Sequence, residues 1–269
     1  MRKIIYIFLC IMKINETSRI SETFTQCVEC PIRQRALFKG VPEDRLSWTQ
    51  HYREKQVSIP AGLQVFQEGD VHDYVYTLFS GWGIIYKTVN SNGKRQILRF
   101  LLPGDLIGFQ STKNTLMPYS AKTITGSVLC AFPRAIIDPM LKQNPSLAVR
   151  LLEMASGDLA LCQNHLVATG RKTARESIAF VLMELYYRVQ YQVADSYSKD
   201  ENRIDFPITQ EDLGDAVGLT NIHVNRVIKE LVKERLINIH KKMLTILNEK
   251  KLCEIAEFSP DMILSPPVI

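Results

Sequence analysis

No apolar run in this chain approaches the ~20 residues that a bilayer-spanning helix requires, so no such helix is expected. The nearest approach is the opening MRKIIYIFLCIM, two basic residues and a short apolar stretch in the manner of a secretion signal. No small-residue cleavage site follows it, only the polar KINETSRISETFTQ. Three readings stay open: translation that begins at Met12, an N-terminal arm over residues 1–25 that is packed or disordered, and, behind both, a true signal. Cysteine is sparse, six residues at 10, 27, 30, 130, 162 and 253, scattered but for one Cys-x-x-Cys pair. That excludes a disulfide framework and points to a reducing cytoplasm. No pairing of a nucleophile with a base and no metal-hydrolase signature appears, so catalysis is not expected. The composition also lacks the bias of a disordered chain: of 269 residues, 46% are hydrophobic and 23% charged, enough for two domains with a sizeable core. The net charge of +5 is compatible with nucleic acid but is too weak to argue for it alone.

Glycine is scarce outside one stretch. Eight of the 13 glycines fall between residues 62 and 126. Among them lie short runs of β-formers, YVYTLF (74–79), GIIYKTV (83–89), RQILRFLL (95–102) and AKTITGSVLCAF (121–132), with a hairpin signal at Asn92-Gly93. Strands this short, punctuated this often, predict a small barrel or jelly roll. From Pro145 to Thr169 the spacing becomes helical, on two adjacent stripes. One comprises Ala148, Leu152, Ala155, Leu159, Cys162 and Leu166; the other comprises Leu147, Leu151, Met154 and Leu161, interrupted by Asp158 and His165. A helix apolar on two faces must bury both, and the sustained 4,3 spacing predicts a partner helix from a second subunit. After Gly170, KTARESIAFVLMELYYRVQ predicts another amphipathic helix, and YSKDENR (197–203) a polar loop.

The segment DLGDAVGLTNIHVNRVIKEL, residues 212–231, places Gly218 in the middle of helical spacing. An interior glycine costs a helix about 1 kcal/mol relative to alanine, but as a left-handed terminator it separates two short helices. Thr209 is a candidate N-cap with Asp212 three positions on, and Leu213, Ala216 and Val217 supply a buried face. Gly214 allows another helix to cross closely. Thr220 caps the second helix, whose buried face is Val224, Val227, Ile228 and Leu231. Asn221, His223, Asn225, Arg226 and Lys229 then point outward, with side chains suited to base edges. LINIHKKMLTIL follows as two short strands about a basic turn, His240-Lys241-Lys242. Six Lys or Arg against two acids between 221 and 242 put +4 of the chain's +5 here. These features together predict a winged helix-turn-helix that binds double-stranded DNA. The competing reading, a sensory module whose helical tail docks to protein, would need no such concentration of charge.

In VFQEGDVHDYVYTLFSGWGIIY, LLPGDLIGF and ITQEDLGDAVGLTNIHVNRVIKELVKERLI, the chain from Cys27 to Leu252 resembles the Crp/Fnr superfamily of bacterial transcription regulators. The resemblance implies an α+β architecture. A cyclic-nucleotide-binding-like β-roll (26–144) would be followed by a long dimerisation helix (145–170), a winged-helix domain (171–258) and a C-terminal tail (259–269). It also implies a homodimer joined through Leu152, Leu159, Cys162 and Leu166, and RNA polymerase as a partner. DNA contacts would fall to Thr209, Gln210, Thr220, Asn221, His223, Asn225, Arg226, Lys229 and Lys241. HVNR at 223–226 matches a common recognition-helix variant; Asn221 and Ile222 replace the Arg-Glu pair of the cyclic-AMP receptor branch, so a different half-site is expected.

In this family the barrel receives the signal. Pro103-Gly104-Asp105 and Gly108 are kept, but Phe109 stands where a ribose-binding Glu is expected and Tyr119 where a phosphate-binding Arg is expected. Loss of both polar anchors argues against cyclic AMP. CVECPIRQRALF resembles the cysteine segment of the oxygen-sensing branch, which makes Cys27, Cys30 and Cys130 candidate ligands of an iron–sulfur cluster. The third N-terminal cysteine of that branch is missing, since Ala36, Leu37 and Phe38 follow, and Cys10 is the remaining cysteine that could stand in. Haem would need an axial base, for which His72 and His165 are the candidates. An oxygen, nitric oxide or redox signal is therefore expected in place of cyclic AMP.

Overall fold

The computed structural model describes residues 19–20, 25–39, 41, 46–89, 93–109, 116–193, 197–198 and 202–264. The expectations for residues 1–11, Cys10 and Asn92 lie outside them. By its contacts the chain divides into two units, 1–85 with 103–150, and 86–102 with 151–269. The second unit therefore takes a stretch of the strand-rich region, which a linear division by composition assigns to the sensor.

The first unit contains β1 (Arg19–Ile20), α1 (Leu46–Tyr52), β2 (Lys55–Ile59), β3 (Gln64–Phe66), β4 (Tyr74–Ser80) and the start of β5 (Gly83–Val89). The end of β5 and all of β6 (Lys94–Leu101) belong to the second unit. β7 (Leu106–Ile107), β8 (Ser120–Thr123), β9 (Ser127–Pro133) and α2 (Ile137–Gln143) return to the first. One sheet runs β1-β2-β9-β4-β7, every pair antiparallel. β4 lies between β9 and β7, and its residues Val75 to Leu78, Thr77 included, are all buried. β3 pairs with β8 across a bulge at Gln64/Phe66. Gly93 has φ +72, the left-handed conformation that the hairpin signal requires of it.

α3 (Pro145–Gly170) runs on from the first unit into the second, where α4 (Ala174–Gln192) forms the centre. α4 departs from the amphipathic helix expected of its sequence. Every residue from Ser177 to Tyr186 is buried, because the short helices and β11 described next pack around it. Two of its polar side chains are paired inside: Ser177 Oγ donates to the Ala168 carbonyl at 2.7 Å, and Arg188 donates to the Phe100 carbonyl at 2.9 Å. A Thr173–Glu176 capping box starts the helix.

β10 (Tyr197–Ser198) and β11 (Arg203–Asp205) pair antiparallel, so the segment expected as a polar loop contributes to a ladder at both ends. α5 (Gln210–Val217), α6 (Asn221–Lys233), β12 (Ile237–His240), β13 (Met243–Ile246), α7 (Glu249–Ala256) and α8 (Asp261–Leu264) complete the unit. Its sheet runs β10-β11-β13-β12. Among the described residues, no helix is long and apolar enough to cross a membrane.

Candidate nucleic-acid interface

α5 begins where Thr209 Oγ1 accepts the Asp212 amide at 3.1 Å while Asp212 Oδ2 accepts the Thr209 amide at 3.0 Å. It ends at Gly218, φ +72, whose Cβ-free backbone makes the left-handed turn without strain. At Gly214 the expected neighbouring helix is there, Val224 Cγ2 of α6 lying 3.5 Å from where a Cβ would stand, but the turn comes closer still. A Cβ there would lie 2.6 Å from the Leu219 carbonyl oxygen, so the close neighbour is the chain of the turn itself. Thr220 caps α6 by accepting the His223 amide at 3.3 Å. Val224, Val227, Ile228 and Leu231 are all buried.

The opposite face of α6 carries the expected polar set. Asn221, Arg226 and Lys229 are exposed, and His223 and Asn225 are half-buried. Two of these side chains are held in place: Asn225 donates to Gln210 at 2.9 Å, which ties α6 to the first turn of α5, and Arg226 Nη2 lies 2.8 Å from His223 Nε2. Unlike α5, α6 has no acidic residue in its first turn. Helix N-termini favour anions, so this end is open to an external one. Glu234 at the far end is held by a two-point pair with Arg175, 2.5 and 2.6 Å, which places its negative charge away from the first turn.

The wing is a two-residue hairpin closed by His240 opposite Met243. Its turn residues, Lys241 and Lys242, both have positive φ, +48 and +61. Each left-handed non-glycine residue costs about 1–2 kcal/mol, and Asn-Gly would form the same turn more cheaply. Two exposed lysines kept at such a turn point to a use for their charge, in line with strain at functional sites.

A contact that the sequence did not disclose holds α5 from behind. Arg95 on β6 donates to Asp212 at 2.7 Å and also pairs with Asp215, while Gln96 donates to the Ala216 carbonyl at 3.0 Å. Asp212 is therefore both the cap of α5 and half of an ion pair with a strand over 100 residues earlier, so its two oxygens serve two elements.

Along α3, Leu152, Leu159 and Leu166 are exposed at 69%, 49% and 72%, and Ala148, Ala155 and Cys162 beside them are exposed too. Leucines at every seventh position flanked by small residues make a narrow seam of coiled-coil type on the chain's surface. Leu147 is fully buried, while Leu151, Met154 and Leu161 are half-buried. The two interruptions in that stripe prove to be paired charges. Asp158 pairs with Arg99, and buried His165 pairs with Glu184, itself 3.3 Å from Arg188. Burial works to lower the His165 pKa, but the charge and hydrogen bond of Glu184 hold it above its ordinary value. Burial likewise opposes ionisation of Glu184, and His165 and then Arg188 keep its pKa below the usual range. His165 is thus a core ion-pair residue rather than an interfacial or haem-ready one.

Cys27 and Cys130 are buried and Cys30 is half-buried. Burial raises the Cys30 pKa, and the neighbouring Cys130 and Cys27 add to the rise. Cys130 Sγ accepts from Gln56 at 3.5 Å and from Arg53 at 3.8 Å, while burial still raises its pKa. Among the described residues, no group of three or more His, Cys, Asp or Glu is arranged to hold a metal ion. The described donors therefore do not fit a four-thiolate cluster. In the barrel, the Gly108 amide donates to Tyr119 Oη at 3.2 Å, so the residue at the expected arginine position meets the backbone amide of that glycine. His72, expected in a polar turn, packs instead among Phe66, Tyr74 and Tyr76, with Nε2 3.0 Å from Tyr76 Oη. Burial and then the Arg134 charge lower its pKa to about 4.

Comparison with known proteins places both regions. Residues 176–255 match the Crp-like helix-turn-helix domain and residues 56–144 the cyclic nucleotide-binding domain. The transcriptional activator protein FnrL of Cereibacter sphaeroides is 30% identical over 227 residues, 83% of this chain and 88% of that protein. The fumarate and nitrate reduction regulatory protein of Vibrio cholerae is 28% identical over 235 residues, 87% and 92% of the two chains. Among solved structures, FixK2 from Bradyrhizobium japonicum superposes with a TM-score of 0.67 at 25% identity, over 76% of this chain and 98% of that one.

Proposed function

The chain belongs to the Crp/Fnr superfamily of transcription regulators, and from that premise we propose that two copies act as one DNA-binding unit joined along α3. Each copy presents α6 to one half of a two-fold-related operator. The observation that carries this reading is the exposed polar face of α6, set beside a wing whose lysines are held in a strained turn. Asn221, His223, Asn225 and Arg226 read base edges. Thr209, Gln210, Thr220, Lys229 and Lys241 meet the phosphate backbone and fix the register. The seam Leu152–Leu159–Leu166 supports the dimer: three exposed leucines on one line favour burial against a second copy. The chain works by binding rather than by catalysis, in the cytoplasm where its DNA is, with RNA polymerase as the family's expected partner.

The signal on this reading is not cyclic AMP. Phe109 and Tyr119 supply neither a carboxylate for ribose nor a guanidinium for phosphate, and Tyr119 engages the Gly108 amide. A phosphate entering this pocket would be poorly compensated. The segment of Cys27 and Cys30 against Cys130 is the place where an oxygen, nitric oxide or redox signal would enter. The test of the assembly is light scattering on Leu159→Glu and Leu166→Glu. Both are expected to be monomers that fail to bridge two half-sites, because a charge in an apolar seam is uncompensated. Dimers in both variants would move the interface elsewhere.

A further inference from the structure

Ile222 is the most exposed large apolar side chain among the described residues, at 86%. It is not an isolated surface residue of the ordinary kind. At roughly 100° per residue, it lies opposite the centre of the buried stripe Val224–Val227–Ile228–Leu231, so no small rotation of α6 would bring it into the core. It shares its face with Asn225, Arg226 and Lys229, at steps of three, four and seven, the residues assigned to DNA. It is second in the helix, in the turn that lacks acidic side chains. A β-branched side chain is also a mediocre choice for an exposed helical site, where alanine or a long polar residue would stabilise more. Folding does not account for it.

We infer that Ile222 is a specificity-determining residue that reads the C5-methyl group of a thymine in each half-site. This rests on the DNA-binding reading above and deepens it. In the major groove the thymine methyl is the one apolar feature a base pair presents, and apolar side chains are its usual contacts. The other edges offer hydrogen-bonding groups, for which Ile222 has no donor or acceptor. An acidic side chain at this point would accept from the cytosine amino group; an isoleucine leaves that group unsatisfied and covers a methyl instead. The helix thus combines polar readers at Asn221, His223, Asn225 and Arg226 with one apolar reader at its tip.

The experiment uses the full-length protein. Duplexes selected from a random pool by the wild-type chain are resynthesised with each thymine in turn replaced by uracil, which removes the methyl and nothing else. Affinities are then measured by fluorescence anisotropy. Uracil in place of that thymine in one half-site is expected to weaken wild type about fourfold, the value of burying one methyl, and about fifteenfold when both half-sites are changed. Ile222→Ala, which leaves a well-exposed helical site intact, is expected to bind the thymine and uracil duplexes alike. Ile222→Glu is expected to select a pool in which that thymine is replaced. Uracil tolerance at every position in wild type, or the same uracil penalty in Ile222→Ala, would overturn the assignment while leaving DNA binding standing. A pool that never enriches would instead sink the DNA-binding reading and this inference with it.

Discussion

Replacing Gly214 by alanine sets two effects against each other. In an open helix the change would stabilise by about 1 kcal/mol, because glycine loses more backbone entropy on ordering. Here the new Cβ would stand 2.6 Å from the Leu219 carbonyl oxygen, and that oxygen is backbone, not the end of a flexible side chain. The Leu219 amide also donates to the Gly214 carbonyl at 3.0 Å, so the turn that must open to relieve the clash is closed by its own hydrogen bond. Overpacking of this kind costs about 1–3 kcal/mol, and loss of the hydrogen bond about 1 kcal/mol more. The clash outweighs the helix gain, and Gly214→Ala should be destabilised by about 1–3 kcal/mol on balance. Gly218→Ala is the control with the opposite cause. Nothing lies within 4 Å of its Cβ, but φ is +72, which costs about 1–2 kcal/mol, and Gly218→Asn should recover part of it. Urea unfolding followed by circular dichroism gives both values, and operator binding should fall for Gly214→Ala as α6 tilts. A Gly214→Ala protein as stable as wild type, or more so, would refute the close approach of the turn.

Lys241→Ala should weaken binding to all DNA sequences nearly equally and reduce the dependence of log affinity on log salt by about one unit per site, read from salt titrations. Arg95→Ala and Asp215→Ala should be non-additive, since the two side chains pair directly; a double-mutant cycle in urea should return a coupling of about 0.5–3 kcal/mol, and strict additivity would deny the clamp. His72 has its pKa lowered to about 4 by burial and then by Arg134, against 6.5 when unfolded. Between those values the unfolded state binds more protons, so stability is lost as pH falls from about 6.5 toward 4, by up to about 3 kcal/mol. His72→Gln should flatten that part of the stability–pH curve, and an unchanged slope would place the titration elsewhere.

The helix-turn-helix was legible because its determinants are local. Thr209 with Asp212, Gly218 and Thr220 act within three or four residues, and the buried set of α6 follows from helical period alone. The exposed seam of α3 was legible for the same reason. What stayed hidden depends on partners far along the chain. Arg95 reads as one polar residue in an alternating strand until Asp212 and Asp215 are brought to it. Glu184 and Arg188 give α4 an amphipathic appearance, yet both are paired within the core, Glu184 with His165 and with Arg188, which also donates to the Phe100 carbonyl. The strands at Tyr197–Ser198 and Arg203–Asp205 were missed because polar, turn-forming residues between them outweigh two short ladders in any local count. Ile222 was visible as a departure from a known residue pair, but only its exposure gives that departure a chemical meaning.

Recognition of an operator by this chain depends most directly on the discrimination that α6 confers. The measurement is the ratio of affinities for a selected two-fold duplex and a scrambled duplex of equal length and composition, at fixed salt, for wild type and Arg226→Ala. Specific sites are typically bound at least ~1,000-fold more tightly than non-specific DNA, and wild type should reach that ratio. Arg226 is exposed on the reading face, and loss of its base contact should cost about 1–3 kcal/mol, so Arg226→Ala should lower the ratio by about fivefold or more. Its affinity for the scrambled duplex should change far less. A wild-type ratio near one, or an Arg226→Ala protein that keeps the full ratio, would contradict the claim that this helix reads DNA.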